Sequence, residues 1–245
     1  MRLDVYLTEK ELCKSRSAAQ CLINIGGVLV NGRIAVKNSL EVTDLDEISI
    51  IENKLPRYVG RGGLKLERAL QLWNIDLHGK VCLDIGSSTG GFTDCMLQNG
   101  AASVYAVDVG QDQLNERLRN DKRVISLEKT DIREFSFDNY NIDGADFIGA
   151  DVSFISLKLI LPAVYRLLKT GGTAVTLIKP QFEAGRRNLS KKGIVRSESA
   201  RLKSVKDTET FAAQCGFTVI GIAESPIKGG DGNIEYLMGL ERINK

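Results

Sequence analysis

Residues 84–93 read Asp-Ile-Gly-Ser-Ser-Thr-Gly-Gly-Phe-Thr, and this stretch decides the fold. It follows the apolar run Lys-Val-Cys-Leu-Asp-Ile at 80–85 and leads into helical spacing at 90–98. The glycines let backbone pass close to a bound group, and the start of a helix offers N–H donors that have no partner inside it. A strand, a glycine-rich turn and a helix in that order mark the carboxyl edge of an open α/β sheet. The glycine spacing is G-x-x-x-G-G rather than G-x-G-x-x-G, so a nicotinamide-dependent oxidoreductase is excluded.

The same alternation runs outward from this turn. Helices are expected at 64–73, 90–98, 111–119, 157–168 and 198–215, and strands at 80–85, 103–107, 124–126, 146–150, 173–178, 217–224 and 233–240. Such a pattern predicts an α/β, doubly wound sheet whose ligands sit at the carboxyl ends of its strands. Asp108 ends the second strand, where a carboxylate can accept both hydroxyls of a ribose. Asp131 follows the third, placed to contact an adenine. Asp84, Gly86, Ser87, Gly90, Asp108 and Asp131 are therefore the candidate cofactor-binding residues; Phe92 packs either against the cofactor or within the core. This constellation resembles the S-adenosylmethionine pocket of class I methyltransferases. Trp73 and His78, in the approach to the first strand, read as packing residues.

The first 52 residues read as a separate small α+β module. Ser15 or Ser17 caps a helix with Ala18, Cys21, Leu22 and Ile25 on one face, and Gly26-Gly27 ends it. A short strand at 28–30, the turn Asn31-Gly32, a return strand at 33–36 and a last strand at 44–51 complete it. Residues 53–63 contain Pro56 and three glycines and read as a linker, and 64–245 as the second domain.

Net charge is only +2, but its distribution is uneven. Residues 1–40 carry six Lys/Arg against three acids, 53–80 carry six against two, and 186–206 carry eight against one, with five acids and no base at 41–52. Separate basic stretches of this kind suit a surface that meets an anionic polymer. Hydrophobic residues make up 43% of the chain, yet no run approaches the ~20 needed to span a bilayer. Five cysteines with no CxxC pair and a single histidine, His78, predict neither a disulfide framework nor a metal site, and a cytoplasmic location.

Four more residues sit at the sheet's carboxyl edge: Lys65 after Arg61-Gly62-Gly63, Asp151 in Asp-Val-Ser-Phe-Ile-Ser, Lys179 in Lys-Pro-Gln-Phe-Glu, and Glu235 in Gly-Asn-Ile-Glu. The set resembles the Lys–Asp–Lys–Glu tetrad of FtsJ-type ribose 2′-O-methyltransferases. Together with R-G-G-x-K-L it resembles the TlyA (hemolysin A) family, and the N-terminal module resembles the αL RNA-binding domain of a ribosomal protein. The resemblance covers essentially the whole chain. It implies a class I, Rossmann-like domain with a mixed sheet, S-adenosylmethionine as cofactor, and a cytidine 2′-hydroxyl of ribosomal RNA as acceptor. The loop 188–198 is less glycine-rich than in the family, leaving the choice of ribosomal subunit open.

Transfer to a hydroxyl requires the proton to leave near the transition state, and Lys179 is the expected base. An ordinary lysine is neutral about one time in a thousand at pH 7.4, a cost of about 4 kcal/mol. Asp151 is expected to orient Lys179, with Lys65 and Glu235 holding the ribose. RNA contacts are expected from Arg2, Lys14, Arg16, Arg33, Lys37, Arg57, Arg61, Arg186, Arg187, Lys191 and Lys192. The rivals are a catalytically silent RNA-binding protein and a membrane-active haemolysin; neither a membrane nor an obligate protein partner is expected.

Overall fold

The computed structural model describes residues 1–13, 15–51, 57–229 and 232–243. Contacts divide the chain into two compact units, Met1–Arg57 and Tyr58–Lys245.

The smaller unit contains α1 (Leu3–Glu9), α2 (Arg16–Asn24), β1 (Val28–Val30), β2 (Arg33–Ile34) and β3 (Ile48–Ile50). Helix α1 was not expected: only Leu3 and Leu7 recur on its inner face, too short a repeat to read as a period. Helix α2 is capped by Ser15, whose Oγ accepts a 3.2 Å hydrogen bond from the Ala18 N–H. Asn31 and Gly32 both take positive φ, 51° and 73°, the conformation of a two-residue hairpin turn. The last strand is shorter than expected because Asp46 accepts from the N–H and Oγ1 of Thr43 and from Asn31 Nδ2, holding that segment as a turn.

The larger unit runs α3 (Gly62–Leu72), β4 (Val81–Ile85), α4 (Gly91–Gln98), β5 (Ser103–Val107), α5 (Glu116–Arg119), β6 (Val124–Leu127), β7 (Ala145–Ala150), α6 (Leu161–Leu167), β8 (Leu168–Ile178), α7 (Pro180–Glu183), α8 (Glu198–Gln214), β9 (Thr218–Glu224) and β10 (Tyr236–Glu241). Its seven strands lie in the order β6-β5-β4-β7-β8-β10-β9. All neighbours are parallel except β10, which runs antiparallel to β8 and β9. The sheet is thus mixed and doubly wound, with the order reversing between β4 and β7, where a crevice opens at the carboxyl ends. Apolar side chains fill both faces, around Leu83, Ile148 and Leu161 on one and Leu66, Met96 and Phe147 on the other. Helix α3 seats Trp73 over Gly221 and Gly239, where a Cβ would come within 2.7 and 2.8 Å of the indole.

The segment read as a linker, 53–63, divides. Residues 53–56 lie outside the described residues, and Tyr58–Gly63 belongs to the larger unit, because the buried Tyr58 ring packs on Gly63 and the Val59 N–H donates to Asp94.

Candidate active site

Strand β4 delivers the chain to Gly86, whose φ of 78° and closeness to the Asp151 carbonyl leave no room for a side chain: a Cβ would sit 2.9 Å from that oxygen. The loop then turns through Gly90 at φ 95° into α4. Asp84 ties strand to helix, its Oδ2 accepting from the Thr93 N–H at 2.9 Å and the Thr93 hydroxyl at 2.6 Å. Its Oδ1 is buried without a partner among the described residues, and burial pushes the carboxyl up to about 7. Asp108 joins two loops, accepting from Ser88 N–H at 2.8 Å and Gly110 N–H at 2.7 Å.

These loops wall a cavity of about 540 Å³ lined by Gly86, Asp108, Val109, Asp131, Ile132 and Asp151, among others. Arg133, 2.5 Å from Asp131, holds that carboxyl down at about 2, so it is ionised at any working pH. Ser87 and Phe92 line a smaller neighbouring cavity of about 200 Å³, together with Arg61, Asp151 and Lys179. Asp84 and Gly90 line neither; the first is buried beneath the loop, and the second makes room for Leu114 and Leu118.

A third cavity, about 620 Å³, contains Lys65, Lys179 and Glu235. Three adjacent strands bring the charged groups together. Asp151 follows β7 and Lys179 follows β8; β10 runs antiparallel with Tyr236 registered on Ile178, so Glu235 enters beside Lys179. Helix α3 supplies Lys65. The result is a continuous chain: Lys179 Nζ lies 2.6 Å from Asp151 Oδ1, Lys65 Nζ 3.2 Å from Asp151 Oδ2 and 2.7 Å from Glu235 Oε2. Both lysine side chains are only 9% exposed. Two cations and two anions balance, but removing four charges from water costs more than such pairs usually return, which marks the network as a functional feature.

Sequence reading passed over several neighbours. Lys179 donates to Ser153 Oγ at 2.7 Å. Glu183 accepts from Ser156 Oγ at 2.7 Å and Leu157 N–H at 2.6 Å, holding the loop after β7. Buried Asn233 donates to Gly193 C=O and accepts from Val195 N–H, both at 3.1 Å. Phe154 is 92% exposed at φ 65°, its ring centroid 5.4 Å from that of Phe182. Ser153, Phe154 and Phe182 lay inside quoted motifs, but their partners are distant in sequence.

Of the basic residues, Arg186 lines the third cavity, and Arg187, Lys191 and Lys192 are exposed nearby in sequence. In the smaller unit Arg2 and Arg16 both grip buried Asp4, at 3.0 and 2.9 Å, while Arg33 and Lys37 are exposed. Arg57 and Arg61 are exposed, and Lys14 lies outside the described residues.

A doubly wound sheet with one antiparallel strand, a cavity at its switch point and a buried lysine–carboxylate chain beside it define a Rossmann-like methyltransferase. Residues 58–242 match the FtsJ-like methyltransferase family and residues 1–48 match the S4 domain. The chain belongs to the FtsJ-like methyltransferase family, with an S4 domain preceding the enzyme domain. It is 44% identical over 237 residues to hemolysin A of Brachyspira hyodysenteriae, covering 97% of this chain and 98% of that one. It is 39% identical over 240 residues to the 16S/23S rRNA (cytidine-2′-O)-methyltransferase TlyA of Mycobacterium tuberculosis, covering 98% and 89%. A solved structure from Streptococcus thermophilus, provisionally named a hemolysin, superposes with a TM-score of 0.78 at 44% identity, covering 100% of this chain and 89% of that one.

Proposed function

We infer that this methyltransferase uses S-adenosylmethionine to methylate a ribose 2′-hydroxyl, that of a cytidine, in ribosomal RNA. The observation that carries the reading is the Lys179–Asp151–Lys65–Glu235 chain, which meets the 540 Å³ cavity at Asp151 and the 620 Å³ cavity at its other members. The first cavity suits the cofactor in size and chemistry. Asp108 offers its carboxylate to a ribose, Asp131 and Ile132 face a base, and Gly86 and Ser87 approach the remaining end. When bound, the cofactor supplies an electrophilic methyl group on a sulfonium.

The protein's own task is alignment and proton removal. Lys179, as the neutral amine, takes the hydroxyl proton; Asp151 holds it in place and shares its second oxygen with Lys65; Glu235 anchors Lys65. Positioning of this kind is worth on the order of 7–11 kcal/mol at ideal geometry. The Phe154–Phe182 pair, half-buried at Phe182 and exposed at Phe154, lines the third cavity and suits a base unstacked from a single strand. Arg2, Arg16, Arg33 and Lys37 in the S4 unit, with Arg57, Arg61 and Arg186 and the lysines after it, supply phosphate contacts. Ribosomal RNA or a ribosomal subunit is the partner, and the cytoplasm the place of work.

Calorimetric titration of S-adenosylmethionine, then tritiated-methyl transfer to ribosomal RNA with nucleoside digestion, tests this. Label recovered in 2′-O-methylcytidine supports it. Label on a base, or no cofactor binding by the protein or its RNA complex, defeats it.

A further inference from the structure

The two partners of Lys179 differ in kind. Asp151 Oδ1 lies 2.6 Å from Nζ yet off the direction of a hydrogen bond, so it supplies charge without fixing the rotor about Cε–Nζ. Ser153 Oγ, at 2.7 Å, takes the directed hydrogen bond. Ser153 also lines all three cavities around the site, so it stands where cofactor space and acceptor space meet.

A neutral lysine amine has two hydrogens and one lone pair, tetrahedral with Cε. Ser153 accepts one hydrogen and so fixes the rotor. Of the two positions left, the Asp151 carboxylate repels the lone pair from the nearer one. Only one direction then remains for the lone pair, and it is the direction neither protein partner occupies.

We propose that Ser153 is a positioning residue that aims the Lys179 lone pair at the acceptor hydroxyl. The step it serves is simple to balance. The O–H bond breaks, its proton passes to Lys179 Nζ, and the electron pair left on oxygen forms the new bond to the methyl carbon, whose bond to the sulfonium sulfur would break with its pair retained by sulfur, so that a neutral thioether is the leaving group. The charged groups facing Lys179 are Asp151 directly and Lys65 and Glu235 through it. Without Ser153 the amine keeps its charge partner but rotates, and the productive orientation becomes one among several. This rests on the assignment of Lys179 as base.

The test is kcat against pH for the full-length protein carrying S153A, S153T, K179A and S153A/K179A, with cofactor and RNA affinities measured alongside. S153A is expected to lower kcat roughly 10- to 100-fold, on its high-pH plateau as well as below it, with both affinities within about two-fold. S153T keeps a hydroxyl acceptor and is expected to recover most of the rate. Adding S153A to K179A is expected to cost nothing further. An unchanged plateau in S153A overturns the proposal, as does a loss matched by weaker cofactor binding or repeated in the K179A background. Should K179A itself retain activity, the base assignment falls first, and that result is distinct from an inert S153A beside a dead K179A.

Discussion

Asp84 places a charge where water cannot reach it. One carboxyl oxygen is bound by Thr93, the other by nothing among the described residues, and burial raises its pKa from 3.8 to about 7. Between those two values the folded state keeps a proton that the unfolded chain has released, so stability falls as pH rises through the window. Asp84→Asn, neutral and of equal shape, is expected to flatten that slope and to stabilise the protein at pH 8 by on the order of a few kcal/mol. Urea denaturation from pH 4 to pH 8 reads it, and a slope identical to that of the parent overturns it. The charges of the tetrad, by contrast, are paired with one another. Lys179→Ala is expected to lower transfer at least roughly 10²-fold while cofactor affinity stays within a few-fold; unchanged turnover would sink the base assignment. The four tetrad residues were legible because each lies in a short motif, three of them adjoining a strand and Lys65 in the first turns of α3 after Arg61-Gly62-Gly63. Ser153 and Asn233 were not, because their meaning lies in partners 26 and 38 residues away.

Elements were legible where period and boundary agreed. Strands β4, β5 and β7 and helix α4 stand within a residue of their expected limits. The helix expected at 157–168 splits into a tight turn, Leu157–Leu159, and α6, because Pro162 lacks an N–H and belongs in a first helical turn. The one expected at 111–119 shrinks to α5, since Asp112 takes φ 56° and its N–H goes to Glu128. Both failures have local causes that hydrophobic period does not register. Residues 193–195 depend instead on a long-range clamp, the amide of Asn233, two residues from Glu235. Asn233→Ala removes both hydrogen bonds while leaving the cofactor cavity intact. The expected result is a roughly ten-fold higher KM for RNA, unchanged cofactor affinity, and faster proteolysis within 188–198, each bond being worth about 1 kcal/mol. Loss of cofactor binding in the same variant would show instead that the clamp supports the whole edge of the sheet.

At the scale of the molecule, a net charge of +2 conceals a division of labour. The cavity proposed for the cofactor is lined by the carboxylates Asp108, Asp131 and Asp151, a lining suited to a small polar ligand at short range. Arg133 is the basic residue of that lining, paired with Asp131; of the basic residues proposed to meet RNA, two arginines are fixed in advance. Arg2 and Arg16 are about half exposed, 44% and 56%, while their guanidinium groups rest on Asp4, whose carboxyl they and Gln20 hold well below the usual range. Ordering the side chains before RNA arrives reduces the entropy lost on binding, so each is expected to act as a phosphate contact and not as a mobile charge. Phosphate neutralisation releases counterions, which makes affinity fall with salt at a slope set by the number of contacts. RNA affinity is therefore expected to drop steeply between 50 and 200 mM salt, roughly ten-fold or more, while cofactor affinity changes little. Replacing Arg2 and Arg16 together by Gln should weaken RNA binding at low salt and make the logarithmic slope shallower by roughly 0.7–0.9 per arginine lost, leaving the cofactor isotherm as it was. Filter binding across a salt series measures both quantities. An unchanged slope would place the phosphate contacts on 186–206 instead, and the same series with Arg186 and Arg187 replaced by Gln would then carry the loss.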